Sequence, residues 1–98
     1  MPKKKIKVTE ITNSQLRNVM KFHLKNFNDE GVTISNETKH EEVLADNDGF
    51  GGANSKAIYK AAMRWTFRRT QLGDPDWPND WMPMTVAQLA DFFLPAEE

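Results

Sequence analysis

The chain has 98 residues, 39% apolar and 28% charged, with a formal net charge of −1 and no cysteine. That length suits one domain around one core. The charge balance excludes a disordered chain, and the lack of cysteine excludes a disulfide framework, a thiolate metal site and a thiol nucleophile. No apolar run approaches the roughly 20 residues of a membrane span. The start Met-Pro-Lys-Lys-Lys lacks the apolar stretch of a secretory signal, so a cytoplasmic protein is expected.

In chain order, residues 1–5 predict a flexible basic arm. Residues 4–8 (Lys-Lys-Ile-Lys-Val) alternate apolar with basic side chains, as a half-buried edge strand does. Thr12 with Gln15 predicts a capping box for a first helix, and Ile11 can staple onto Leu16. Leu16, Val19, Met20, His23, Leu24 and Phe27 share its apolar face, which makes His23 a core histidine. Gly31 predicts the left-handed stop. Residues 32–35 are short and β-branched, a strand to pair with 4–8. Thr38 and Glu41 predict a weaker box for a short helix through about Ala45. Residues 46–54 are rich in turn formers and predict a loop.

Asn54 or Ser55 then caps a long helix over 56–72, which Gly73 ends with Pro75 just beyond. Ile58, Ala61, Ala62, Trp65 and Leu72 fall on one side of it, with Arg69 among them. Pro75, Pro78 and Pro83 exclude regular structure over 74–84. Thr85 with Gln88 predicts a third box, for a last helix over 86–94 with Val86, Leu89, Ala90 and Phe93 inward. Residues 95–98 predict a flexible acidic tail. The expected fold is mainly α with α+β character: one domain over 1–98, three to four helices around one core, and a minor two-stranded β element near residues 4–8 and 32–35.

Charge is laid out in blocks. Residues 1–30 are net positive by four, 31–53 net negative by four, 54–73 net positive by five and 74–98 net negative by six. Within the third block Lys56, Lys60, Arg64 and Arg68 recur every fourth residue, in a segment without an acid. On a helix they form one basic stripe roughly 18 Å long. Like charges at that spacing oppose the helix by a few tenths of a kcal/mol per pair, so an anion should face them. Either a nucleic acid tracks the stripe, with Phe67 stacking on a base, or the acids of 74–98 fold back over it.

The segment Gly73–Met84 sets Trp77, Trp81, Met82 and Met84 among Asp74, Asp76 and Asp80. Aromatic and methionine side chains are preferred at protein interfaces. Trp77, Trp81, Met82, Asp76 and Asp80 are therefore the expected protein-binding residues if the tryptophans stay exposed; otherwise they lie down on the core. Arg69 on an apolar face demands a partner, expected among the aspartates of 74–80 rather than by stacking on Trp65. Pro2–Val8 resembles a short basic nuclear-import signal, with Ile6 out of pattern. Lys3, Lys4 and Lys5 would serve as a basic arm.

Other chemistry is poorly supported. The loop before the long helix departs from the P-loop pattern, having Ser-Lys-Ala for Gly-Lys-Ser/Thr. It departs from the EF-hand pattern too, with Phe50 at the third ligand position. His40 begins His-Glu-Glu-Val-Leu, where a zincin helix needs a histidine at position 44 and Leu44 stands instead. No catalytic residue, metal site or cofactor is expected. The sequence points to a non-enzymatic binding protein (an inhibitor, adaptor or regulatory module) that docks on a protein through the 74–84 segment and the basic helix. The alternative is a nucleic-acid-binding regulator using Lys56, Lys60, Arg64, Phe67, Arg68 and the lysine arm. The two long helices also have surface enough for a homodimer.

Overall fold

The computed structural model describes residues 9–46 and 54–96. Three helices carry the fold: α1 (Asn13–Lys25), α2 (Ser55–Phe67) and α3 (Val86–Phe93), with a single 3-10 turn at His40–Glu42 between the first two. Each long helix begins where a side chain satisfies a free amide. The Thr12 hydroxyl accepts from the Gln15 amide, and the Gln15 side chain accepts from the Thr12 amide at 2.9 Å. The same reciprocal box joins Thr85 and Gln88 at the head of α3. Asn54 caps α2 by accepting from the Ala57 amide at 2.7 Å. Capping of this kind removes amides that the first turn of a helix cannot satisfy itself.

The core is one mainly α cluster. α1 contributes Leu16, Met20 and Leu24, α2 contributes Tyr59, Met63 and Phe67, and α3 contributes Val86, Leu89 and Ala90. α1 packs on both other helices. Its N-terminal half is tied to α3 by Asn13, which donates to Asp91 Oδ1 at 2.8 Å, and by Arg17, which reaches the same oxygen at 3.0 Å. These bonds, first Arg17 and then Asn13, hold the Asp91 carboxyl below the usual carboxylate range.

The structure corrects several expectations. Residues 32–35 are not a strand; their expected partner, residues 4–8, lies outside the described residues. Among the described residues pairing is limited to two isolated bridges, an antiparallel one between Lys39 and Thr85 and a parallel one between Thr9 and Thr70. Thr9 donates to the Arg69 carbonyl at 3.0 Å, Gln71 donates back to the Thr9 carbonyl at 3.2 Å, and the Gln71 side-chain amide brackets Ile11 with two bonds of 2.9 and 2.8 Å. A side-chain amide has both a donor and an acceptor, so Gln71 extends this short parallel bridge as a strand residue would. The short helix after Thr38 is only a 3-10 turn. The Thr38 hydroxyl donates to the Thr33 carbonyl, and Glu42 instead accepts from the Lys39 amide. The glycine loop falls largely on residues 47–53, outside the described ones, as does the acidic tail beyond Ala96.

α2 is shorter than 56–72 and turned differently. It stops at Phe67 because the Thr70 hydroxyl takes the Phe67 carbonyl at 2.8 Å and accepts from Leu72, pulling the chain out of helical register. Gly73 follows with φ of +61°, which a residue with a Cβ adopts only at a cost. The inward row is Ser55, Tyr59, Met63 and Phe67, whereas Ala61 and Trp65 face out. Buried Ser55 and Tyr59 are tolerated because each has a partner: Ser55 Oγ accepts from the Ala45 amide at 2.9 Å, and the Tyr59 hydroxyl meets His40 Nε2 at 3.1 Å.

Candidate docking surface on the second helix

Behind α2, the proline-interrupted segment 74–84 forms an aromatic layer. Trp81 is only 3% exposed, stacks on Tyr59 at 5.8 Å and meets Trp77 edge-on at 5.0 Å. Trp77 packs in turn on Phe93 at 5.0 Å, and Phe93 on Phe67 at the same distance. Met82 is half-buried against this cluster, and its carbonyl accepts from the Glu41 amide at 2.8 Å. Of the two alternatives for this segment, Trp81 therefore follows the second and belongs to the core, with Met82 at its edge. The physical reason is that a chain of this size has few large side chains with which to fill its interior. Asp76 and Asp80 remain exposed, with no ion-pair partner among the described residues.

His40 sits at the centre of the same layer, fully buried. Its Nδ1 lies 2.8 Å from the Met84 carbonyl. A carbonyl only accepts, so the proton is on Nδ1, and Nε2 accepts from the Tyr59 hydroxyl. Burial lowers the His40 pKa, opposed by the Met84 bond, and burial pushes the Tyr59 phenol far up. Both groups are thus held neutral and shut away from solvent, which is the arrangement of a structural pin rather than of an acid–base pair. His23, expected in the core, is half-buried beside Phe22, with its pKa lowered by burial. Among the described residues no three histidine or carboxylate side chains cluster as metal ligands.

The basic stripe lies on the flank of α2, and its four cations meet three different surroundings. Lys56 pairs with Asp46 at 3.4 Å, and Lys60 lies over the Trp77 ring, 5.6 Å from its centroid. Arg64 and Arg68 share one carboxylate, Asp74, at 3.7 and 3.1 Å. Lys56 and Lys60 also line a groove of about 300 Å³ floored by Trp77 and Trp81. The acidic segment therefore covers part of the stripe, at its C-terminal end and through Asp74 alone. Phe67 cannot stack on a base, because it is fully buried one step around the helix from the stripe. Lys3, Lys4 and Lys5 lie outside the described residues.

The aromatic side chain that does face solvent is Trp65, 62% exposed. Arg69 stacks on it with the guanidinium carbon 4.5 Å from the ring centroid. Both sequence expectations for Arg69, an inward position and an aspartate partner, are thereby corrected. Positions four apart on a helical path are neighbours, and with Trp65 outside, the guanidinium covers its ring without being buried. Ala57 and Ala61 continue the exposed row below Trp65, flanked by Lys60 and Arg64. The sequence does carry a sign of this: Trp65 stands between Arg64 and Arg68, and the residues one and two turns before it are alanines, which are too small to define a core face. The chain was compared with protein-family models, with curated proteins and with solved structures, and none of the three comparisons gives a match.

Proposed function

We propose that the protein is a non-enzymatic binding module that docks on a protein partner through the exposed side of α2, centred on Trp65 and Arg69. The observation that carries this reading is a tryptophan 62% exposed on a rigid helix with an arginine already stacked on it. Tryptophan and arginine are the residue types richest in interface hot spots. A helix-borne ring with a guanidinium already stacked on it loses little further freedom when a partner closes over it. The 74–84 segment enters the reading as support: its tryptophans brace α2 from behind. Such a module suits an inhibitor, an adaptor or a regulatory subunit, in a cytoplasmic setting consistent with the cysteine-free sequence.

Nucleic acid is the second reading. It is favoured by Lys60 and Arg69, which have no carboxylate within ion-pair distance among the described residues. It is weakened by Asp46 and Asp74, which already neutralise the two ends of the stripe. The deciding experiment is affinity capture from native lysate by the wild type and by Trp65→Ala, each with and without nuclease. Docking on protein requires a partner that survives nuclease and is lost with Trp65→Ala. Partners lost to nuclease alone would reverse the ranking, and capture unaffected by Trp65→Ala would remove α2 as the surface.

A further inference from the structure

Resting on that reading, we infer that the partner presents an acidic segment, and that Asp74 occupies its place in the free protein. The exposed side of α2 and the turn that follows it gather Arg64, Arg68 and Arg69 around Trp65, against one carboxylate among the described residues, Asp74. Asp74 receives the Arg68 Nε–H on both of its oxygens at 3.1 Å and also lies 3.7 Å from Arg64. All three groups are about half exposed, so this contact is open to solvent and exchangeable. It is an intramolecular copy of the bond that an incoming carboxylate would make.

The geometry sets the form of the occupant. Arg64 and Arg68 are one helical turn apart, about 6 Å along the axis. Carboxylates at that interval come from positions i and i+4 of a helix or i and i+2 of an extended strand. Between them an apolar side chain would rest on the face of Trp65 left uncovered by Arg69. An acidic, apolar-spaced peptide meets these conditions. A phosphate backbone meets the charge but provides no reason for the alanine row beneath Trp65.

The test uses the full chain and a synthetic peptide with glutamate at every fourth position and leucine between, followed by tryptophan fluorescence at low salt. Oligothymidine serves as the comparison anion. The peptide should alter the emission of the wild type and not that of Trp65→Ala. It should bind Asp74→Asn about two- to fivefold tighter than wild type, because a surface rival carboxylate worth up to about 1 kcal/mol has gone. Equal affinity for Asp74→Asn and wild type, or no response to the peptide from either, overturns the inference. So does binding of oligothymidine in preference to the peptide. The two readings separate cleanly: if Trp65→Ala loses a nuclease-resistant partner while the peptide does not bind, protein docking stands and only the acidic partner fails.

Discussion

Trp65 and Phe67 stand two residues apart on one helix and occupy opposite environments, the first 62% exposed and the second fully buried. Their difference makes the clearest residue-scale prediction. Phe67 touches Phe93 and Trp77, so Phe67→Ala leaves a cavity in the aromatic layer and should lower unfolding free energy by about 3–5 kcal/mol in urea titration. Trp65→Ala removes a surface ring and its stack with Arg69, and should shift the same curve by less than about 1 kcal/mol. A large loss for Trp65→Ala would mean that the ring supports the fold, and the docking surface would lose its anchor. Two other exposed rings, Phe22 and Phe92 at 64% and 53%, have no cation over them among the described residues and so no comparable device to hold them ready.

At the scale of elements, α3 is the test case. It has eight residues, fewer than the roughly 12–15 at which an isolated helix becomes even marginal. Its stability must come from the Thr85–Gln88 box and from packing of Val86, Leu89 and Ala90. Thr85→Ala should therefore cost about 1 kcal/mol in urea titration, while Thr85→Ser, which keeps the hydroxyl, should cost only a fraction of that. Equal losses for the two would assign the effect to packing rather than capping. These caps were the legible part of the fold: Thr12, Asn54 and Thr85 each announce a helix through a local hydrogen bond that spans three residues. The face of α2 was not legible. The rows Ser55–Tyr59–Met63–Phe67 and Ile58–Ala62–Trp65 are both largely apolar, and the choice between them depends on residues outside the helix: the Ala45 amide donates to Ser55, and His40 Nε2 accepts from the Tyr59 hydroxyl. The site was misread for the same reason. Phe67 and Trp65 exchange roles when the helix turns, and the burial of Trp81 follows from the Tyr59 ring that it stacks on.

For the molecule as a whole, the buried histidine makes stability depend on pH in a direction that can be worked out. His40 joins three parts of the chain: its backbone amide and Nδ1 both bond the Met84 carbonyl, and its Nε2 takes the Tyr59 hydroxyl of α2. Its pKa is lowered on folding from 6.5 because the charged ring would be buried beside Tyr59 and Trp81, an effect the Met84 carbonyl opposes only in part. The unfolded chain therefore binds a proton that the folded one refuses. The stabilising contribution is complete above the unfolded value of 6.5. It falls as pH drops below that value, by up to about 1.4 kcal/mol per pH unit, until the folded pKa is reached. His23 acts in the same direction with a smaller share, because it is only half-buried. Asp91 contributes in a separate and lower window. Its pKa is depressed from 3.8, so its contribution persists above 3.8 and disappears as pH falls through the folded value. Urea unfolding measured from about pH 8 to about pH 3 should thus show a plateau, a decline that begins near the histidine value, and a further loss below the carboxylate value. His40→Gln should lower the plateau, since Gln restores the bonds only in part, and it should flatten the first decline while leaving the second. Equal slopes in wild type and His40→Gln between about pH 6.5 and pH 5 would show that His40 accepts its proton in place. The pin between α2 and the aromatic layer would then tolerate a charge that only the Met84 carbonyl helps to balance.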